Sequence, residues 1–216
     1  MTVDLAPVPS VKPRLRGRLH QVAAVLAVPA GLALALHASS TGGHIGALVY
    51  AITLFGLFGI SASYHVHTWS PPARARMKKL DHCMIYVFIA GTYTPLCLGV
   101  LTGLLAPVLL IAVWLGAAVG VLLQFRPHLS VPRTGSLLYI ALGWLALVGL
   151  PQLLHGLDVV ELVLLVAGGV TYTLGSIVLG THRPDPVPTV FGYHEVWHAM
   201  VFVACVCHYV MLWWLL

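Results

Sequence analysis

The chain has 216 residues, of which 59% are hydrophobic and only 8% are Asp, Glu, Lys or Arg. With a mean hydropathy of +0.94, this composition excludes an ordinary soluble globular domain and predicts an integral membrane protein. The formal net charge is +5, but the cations stand beside apolar runs, so we attribute them to membrane topology and expect no nucleic-acid partner.

The first nineteen residues are polar and carry a group of cations directly before an apolar run over about residues 22–36. This arrangement resembles a signal peptide, but no clear small-residue cleavage site follows, so we predict a retained spanning helix. Six further apolar runs follow, at about 45–69, 81–101, 105–124, 135–150, 159–180 and 194–216. The sequence therefore predicts an all-α, seven-transmembrane helix bundle, with a tail over residues 1–19 and a single domain over 20–216.

All 11 Lys and Arg residues lie in the tail or in the connections after the second, fourth and sixth spans. The opposite connections contain none and include Asp158 and Glu161. The positive-inside rule then predicts a cytoplasmic N-terminus and an outside C-terminus in a multi-pass protein of the cell (plasma) membrane. The four cysteines stand inside apolar runs without a Cys-x-x-Cys pair, so we expect them to pack in the bundle rather than form disulfides.

The last span opens on the sequence His194-Glu195-Val196-Trp197-His198. Two histidines four positions apart on a helix lie about 6 Å apart along its axis and on one face, which is a metal-ligand spacing. The same letters form the His-Glu-x-x-His zinc motif of metalloproteases, in which the Glu is the general base. Two boundary histidines without a metal would show this pattern too, so the motif alone leaves all three interpretations open.

The predicted topology brings residues from three spans to one depth in the membrane. Ser61 and His65 close the second span, Asp81 opens the third, and His194 and His198 open the seventh. Ionisable groups cost roughly 2.5 to 3.5 kcal/mol each at the bilayer centre, so they normally face the bundle interior and have a partner. Three imidazoles with a carboxylate or water form the tetrahedral set that zinc takes, and one position stays open. We therefore predict a metal site here.

Several polar residues have other interpretations. Asp81, at the predicted start of the third helix, could be only its N-cap. His82 lies about 100° around that helix and is expected to pack near the site. His208 lies roughly 15 Å beyond His198 along the helix, too far to bind the same metal, and stays unassigned. The stretch Gly91-Thr92-Tyr93-Thr94-Pro95 predicts a kink in which threonine hydroxyls bond freed carbonyls.

Three sequence blocks carry a resemblance: Ser61-x-x-Tyr64-His65, the block from Leu80-Asp81-His82 to Thr94-Pro95, and His194-x-x-x-His198 followed by Cys207-His208. Together they resemble the bacterial hemolysin III family, which is related to the adiponectin and progestin receptors and, distantly, to the alkaline ceramidases. The resemblance implies a zinc ion near the cytoplasmic face with ligands His65, His194 and His198. It also implies that Asp81 contacts the metal directly or through its water, and that Ser61 lies nearby. The family motif does not include Glu195.

An open zinc position can activate water and polarise a carbonyl, which suits the hydrolysis of an amide or ester. We therefore predict a zinc-dependent hydrolase in which Asp81 orients or deprotonates water and Ser61 donates a hydrogen bond. The apolar bundle favours a membrane lipid as substrate or ligand. The alternatives are a zinc-stabilised receptor, sensor or membrane-homeostasis factor, a pore-forming cytolysin, and an intramembrane protease. No oligomeric state is predicted.

Overall fold

The computed structural model describes residues 12–126 and 132–216, with the backbone alone for residues 132–137. The regular elements in these ranges are helices: α1 (Arg18–His37), α2 (Thr41–Val66), α3 (Pro71–Gly99), α4 (Leu105–Gln124), α5 (Pro132–Gly143), α6 (Leu150–Gly156), α7 (Val159–Thr181) and α8 (Tyr193–Leu215). Seven stretches within them are long and apolar enough to cross a membrane, and the fifth, Leu138–Gly156, is shared by α5 and α6. The predicted all-α seven-span fold is confirmed, whereas the sidedness and the domain bounds stay predictions.

Helix α3 begins ten residues earlier than the predicted third span, and the reason lies in its local sequence. Ser70 precedes it, Pro71 and Pro72 occupy its first turn, and residues 73–79 are mostly strong helix formers. The connection predicted over residues 70–80 is therefore helical. Asp81 lies well inside α3, so its interpretation as the N-cap is wrong.

The fifth span is broken, although the sequence predicts one continuous run that ends near residue 150. A short 3-10 segment over Trp144–Gly149 separates α5 from α6. The hydroxyl of Tyr93 on α3 donates to the carbonyl of Gly143 at 2.6 Å and accepts from the amide of Ala146 at 2.6 Å. Because this hydroxyl satisfies backbone groups at the break, the irregular backbone is tolerated at membrane depth.

Consecutive spans are neighbours in space. Helix α2 packs on α1 and α3, α3 packs on α4, α7 packs on α8, and α8 returns to α1. Glycines allow α2 and α3 to approach closely. A methyl group at Gly46 would lie 2.7 Å from Cα of Pro95, and one at Gly91 would lie 2.1 Å from Oγ1 of Thr53. Small residues at such crossings are typical of helix packing in membranes, where close backbone contact contributes the van der Waals attraction.

Pro95 lies inside α3, which continues to Gly99. The hydroxyls of Thr92 and Thr94 each donate to the carbonyl four residues earlier, at 2.9 Å. These bonds go to residues 88 and 90 and not to the Gly91 carbonyl, which lacks its amide partner at Pro95. The predicted bond from these two threonines to the freed carbonyl is therefore not made.

The outer faces of the spans are covered by large exposed apolar side chains, as expected for helices surrounded by lipid. Examples are Leu32, Ile52, Leu115, Leu122 and Leu174. The interior packs around fully buried side chains, among them Leu34, Tyr50, Tyr86, Val113 and Met211. The four cysteines are all free and three of them are buried, as the packing interpretation expects.

Candidate metal centre

Three histidines meet at the end of the bundle where α2 finishes and α1 and α8 begin, which we call the tail face. His65 lies in the last turn of α2, and His194 and His198 lie in the first two turns of α8. The Nε2 atoms of His65 and His194 are 3.2 Å apart. The ring of His198 lies 4.9 Å from that of His65 and 4.6 Å from that of His194, centroid to centroid. One nitrogen of each ring lies within 4.8 Å of the other two.

The geometry of this cluster fits a metal ion. Zinc binds histidine nitrogens at about 2.0–2.1 Å in a tetrahedron, so two ligand nitrogens should be about 3.3 Å apart. The separation of the His65 and His194 Nε2 atoms, 3.2 Å, matches this edge. Nδ1 of His198 is buried and has no hydrogen-bond partner among the described residues. A buried polar atom without a partner costs about 1–3 kcal/mol, and an ion in the site is one of the ordinary explanations.

Asp81 extends the cluster from α3. Its Oδ2 atom lies 3.6 Å from Nε2 of His65, and its side chain is 16% exposed. That distance is too long for a direct hydrogen bond and is close to the separation of about 3.3 Å expected for two ligands of one shared ion. Helix α3 therefore supplies an anionic oxygen beside the three imidazoles, at the depth that the predicted topology requires.

Ser61 contacts the cluster through His20, which is not among the predicted site residues. Its Oγ lies 2.9 Å from Nδ1 of His20, whose Nε2 lies 3.4 Å from the carbonyl oxygen of His198. The His20 ring also stacks on the His198 ring, with centroids 3.8 Å apart and planes 10° apart. The tautomer of His20 that faces its Nε2 proton to this carbonyl leaves Nδ1 to accept from the Ser61 hydroxyl. The Ser61 hydroxyl can donate either to Nδ1 of His20 or to the Asp81 carboxylate, which also lies beside it.

His20 is a buried histidine, 3% exposed, in the first turn of α1. The predicted first span begins at residue 22, so His20 falls beside the cationic tail and is not among the predicted site residues. The signal in the sequence that could have identified His20 as a site residue is its place at the tail-face end of a span. The predicted site residues were identified because they lie at the same end of their own predicted spans.

Glu195 is fully engaged in structural contacts. One carboxylate oxygen accepts from the amide of Gly192 at 2.9 Å, which caps α8, and the other pairs with Nε of Arg16 in the tail. The carboxylate is 3% exposed, so this ion pair is shielded from water on its acidic side. These contacts account for Glu195 without the general-base role that the metalloprotease motif would give it.

We expect Glu195→Gln to lower the free energy of unfolding by about 1–3 kcal/mol, because the amide keeps the cap and loses the charge that faces Arg16. The metal content should not change. Thermal unfolding in detergent checks this, with Arg16→Gln as the matched variant. The double variant should be little less stable than either single one, since one pair is lost in all three. Loss of hydrolytic turnover in a stable, metal-loaded Glu195→Gln protein would instead support a general-base role for Glu195.

The tail crosses directly over the cluster. Amides of Arg14 and Leu15 donate to the carbonyls of Thr189 and Val190, at 3.0 and 3.1 Å, which ties the tail to the connection before α8. Gly17 then turns into α1 with a φ of 78°, and a methyl group there would lie 2.5 Å from Cβ of His65. A side chain at this position would be strained and would also clash with His65, so glycine permits the close cover.

A cavity of about 520 Å³ extends from this cluster into the bundle. His20, Ser61, Asp81, His194 and His198 line its tail-face end. Its walls are largely apolar, with residues such as Leu57, Ile85, Ile89, Leu147 and Leu162. His82 also lines it, but Nδ1 of His82 faces the carbonyl of Lys78 at 2.7 Å, so this ring is not part of the cluster. His65 is not one of the described residues that line the cavity. It contacts the rings of His194 and His198, which do line it.

These observations define a class: a seven-helix membrane protein with three histidines that could hold a metal ion, placed at the polar end of an apolar cavity. Residues 10–209 match the family described as "Haemolysin-III related". The chain belongs to this family, and the resemblance inferred from its motifs is confirmed. It is accordingly a multi-pass membrane protein, and a plasma-membrane location is consistent with these findings.

Individual relatives agree with the family match. "Hemolysin-3" of Bacillus cereus is 34% identical over 203 residues, which cover 89% of each chain. "Hemolysin-3 homolog" of Bacillus subtilis (strain 168) is 29% identical over 189 residues, 84% of each chain. The human "Monocyte to macrophage differentiation factor" is 28% identical over 176 residues, which cover 78% of this chain and 69% of the human one.

Proposed function

We propose that this protein is a zinc-dependent hydrolase that cleaves an amide or ester bond of a membrane lipid at the cytoplasmic side. One observation carries the proposal: a cluster of three histidines and a carboxylate lies at the end of a largely apolar cavity. A lipid needs this combination, because its chain requires apolar walls and its polar linkage requires groups that can act on a carbonyl.

His65, His194 and His198 would hold the zinc ion. Bound zinc with an open position supplies Lewis acidity, which makes water more acidic and polarises a carbonyl. His194 and His198 come from one helix and His65 from another, so their mutual positions depend on the contact between α2 and α8. The stacking of His20 on His198 fixes the orientation of that imidazole.

Asp81 is the proposed general base. Its carboxylate lies 3.6 Å from Nε2 of His65, so a water bound at the cluster would have this oxygen within reach of its proton. Ser61 would donate a hydrogen bond, to the Asp81 carboxylate or to Nδ1 of His20, both of which lie beside its hydroxyl. This pair would orient a water molecule, with Asp81 accepting the proton and later returning it to the leaving group.

The proposal is tested by assaying purified protein in lipid nanodiscs against a panel of long-chain amides and esters. We expect turnover by the zinc-loaded protein, loss of turnover after chelation, and recovery when zinc is returned. A short-chain ester with the same linkage should be a poor substrate, because it leaves most of the apolar cavity unfilled.

Two other results would contradict the proposal. If chelation lowers the thermal unfolding temperature but no lipid of the panel is cleaved, zinc is a clamp between helices and the receptor interpretation is favoured. If the protein conducts ions across the bilayer without lipid turnover, the pore interpretation is favoured. The apolar cavity walls and the grouping of ionisable residues at one end argue against such a pore.

A further inference from the structure

Three cations from three elements lie together on the tail face, where α2 ends. They are Lys12 of the tail, Arg18 in the first turn of α1 and Arg74 in the first turn of α3, and we call them the cationic cluster. Nζ of Lys12 donates to the carbonyl of Val66 at 3.3 Å, and the Arg74 guanidinium lies 5.9 Å from the centroid of the Tyr64 ring. Both contacts are made to the last turn of α2. The function proposed above does not use this cluster.

The charges of the cluster repel one another. Partial burial lowers the pKa of Lys12, and the positive charges of three nearby guanidinium groups lower it further. These groups belong to Arg74, Arg16 and Arg18. Arg16 has a carboxylate partner in Glu195, whereas the three members of the cluster have none among the residues that the structure describes. Like charges this close together are unfavourable unless a counter-anion lies beside them.

The cluster can be reached from outside the protein, and most of its N–H groups are unused. All three side chains are exposed. Nη1 of Arg18 donates to Oε1 of Gln21 at 2.8 Å, and Lys12 donates to Val66, but Arg74 donates no hydrogen bond to any described residue. A guanidinium group has five N–H donors in a planar fork whose geometry matches the oxygens of a phosphate. The cluster therefore offers several free donors to an anion.

The neighbouring apolar groups indicate that this anion belongs to a lipid. Trp69, in the connection between α2 and α3, is half-buried, and its Nε1 donates to the carbonyl of Ser63 at 3.0 Å. Tryptophan in such a position is typical of the membrane–water interface, at the level of the lipid head groups. Leu15, between the cations of the tail, is 44% exposed. Cations combined with exposed apolar side chains are typical of a segment that lies on an anionic membrane surface, and a soluble anion would gain nothing from them.

We propose that the cationic cluster binds the phosphate group of an anionic membrane lipid in the leaflet on the tail face. The phosphate would offset the repulsion among the three cations, and the guanidinium groups of Arg18 and Arg74 would donate paired hydrogen bonds to its oxygens. None of the three cations is among the described residues that line the cavity. The inference therefore does not depend on the hydrolase proposal.

The test uses delipidated protein in a non-ionic detergent and measures lipid binding by native mass spectrometry. The probes are phosphatidylglycerol and phosphatidylcholine with identical chains, which share a phosphodiester and differ in the net charge of the head group. We expect the wild type to bind one phosphatidylglycerol roughly 5- to 30-fold more tightly than phosphatidylcholine, which is the effect of one or two cations beside an anionic head group. An excess of inorganic phosphate should not displace the bound lipid.

The double variant Lys12→Gln/Arg74→Gln should lose most of this preference. Its matched control is Arg76→Gln/Arg126→Gln, which removes the same charge from exposed positions on the tail face. Arg76 lies about 200° around α3 from Arg74, and Arg126 follows the end of α4. The control should keep the preference within about 2-fold, since charges beyond the Debye length are largely screened. The thermal unfolding temperature of each variant shows that it is folded.

The inference is overturned if the wild type binds the two lipids equally, or if the two double variants lose the preference to the same extent, because the cations would then act only through the overall charge of the tail face. Displacement of phosphatidylglycerol by inorganic phosphate would also overturn it and would assign the cluster to a soluble anion. Neither probe is required to react. A preference for phosphatidylglycerol without lipid turnover would therefore remove the hydrolase proposal and leave this site standing.

Discussion

Alanine in place of His198 or His65 is expected to remove the metal from the protein, whereas alanine in place of His208 is expected to leave it bound. Wild-type protein should carry about one zinc per chain. Loss of one of three histidine ligands should weaken binding at least 100-fold, because losing only the hydrogen-bond partner of a ligand already costs about 10- to 100-fold. Purified His65→Ala and His198→Ala should then retain less than about a tenth of the metal.

The His208→Ala variant is a matched control for His198→Ala. Both positions hold buried histidines on α8, and both have an Nδ1 atom without a partner among the described residues. They differ in distance from the cluster, so equal metal loss from the two variants would show that the cluster is not the site. Elemental analysis of detergent-purified protein provides the measurement. A wild type that carries no metal would remove both the hydrolase and the zinc-clamp interpretations.

Replacing Asp81 by asparagine should reduce lipid turnover by about 10²- to 10⁴-fold and leave the metal in place. The change removes the base while keeping the size and polarity of the side chain, and general-base catalysis contributes rate factors of this order. The three histidines are unchanged, so the metal content should stay near wild type. The effect should appear in kcat more than in KM, because the apolar walls that bind the chain are unaltered.

Asp158→Asn is the control for this experiment. Asp158 caps α7 by accepting from the amide of Glu161 at 2.8 Å, and asparagine is an equally good N-cap residue. It should therefore change neither turnover nor metal content. If Asp81→Asn keeps full activity, Asp81 is not the base. If it loses the metal together with the activity, its carboxylate is a ligand and its separate catalytic role is unsupported.

Much of the fold could be predicted from sequence because the signals in a membrane protein are coarse and local. The apolar runs set the number of spans, and the cations beside them set the expected sidedness. Boundaries set by amphipathic sequence are harder to predict. The first ten residues of α3 contain four Lys or Arg residues, which hydropathy assigns to a loop, although their helix propensity and the Ser70-Pro71 start favour a helix.

The cluster of His65, His194 and His198 could be anticipated because each residue lies at a span end that the topology brings to one face. The partnership of His20 with Ser61 and His198 could not, since it joins residues 41 and 178 positions apart through packing. The role of Glu195 was hidden for the same reason. The His-Glu-x-x-His pattern shows only the neighbours of Glu195 in sequence, whereas its ion-pair partner Arg16 lies in the tail.

Because the tail crosses the cluster, the rate of metal exchange can vary independently of the equilibrium affinity for the metal. Backbone bonds from Arg14 and Leu15 and the contact of Gly17 with His65 cover the site on its outer side. Exchange of a bound ion with solution on this side of the site would then require brief openings of residues 12–17. A fusion partner placed next to this segment would change the time needed for metal uptake and leave the amount at equilibrium the same.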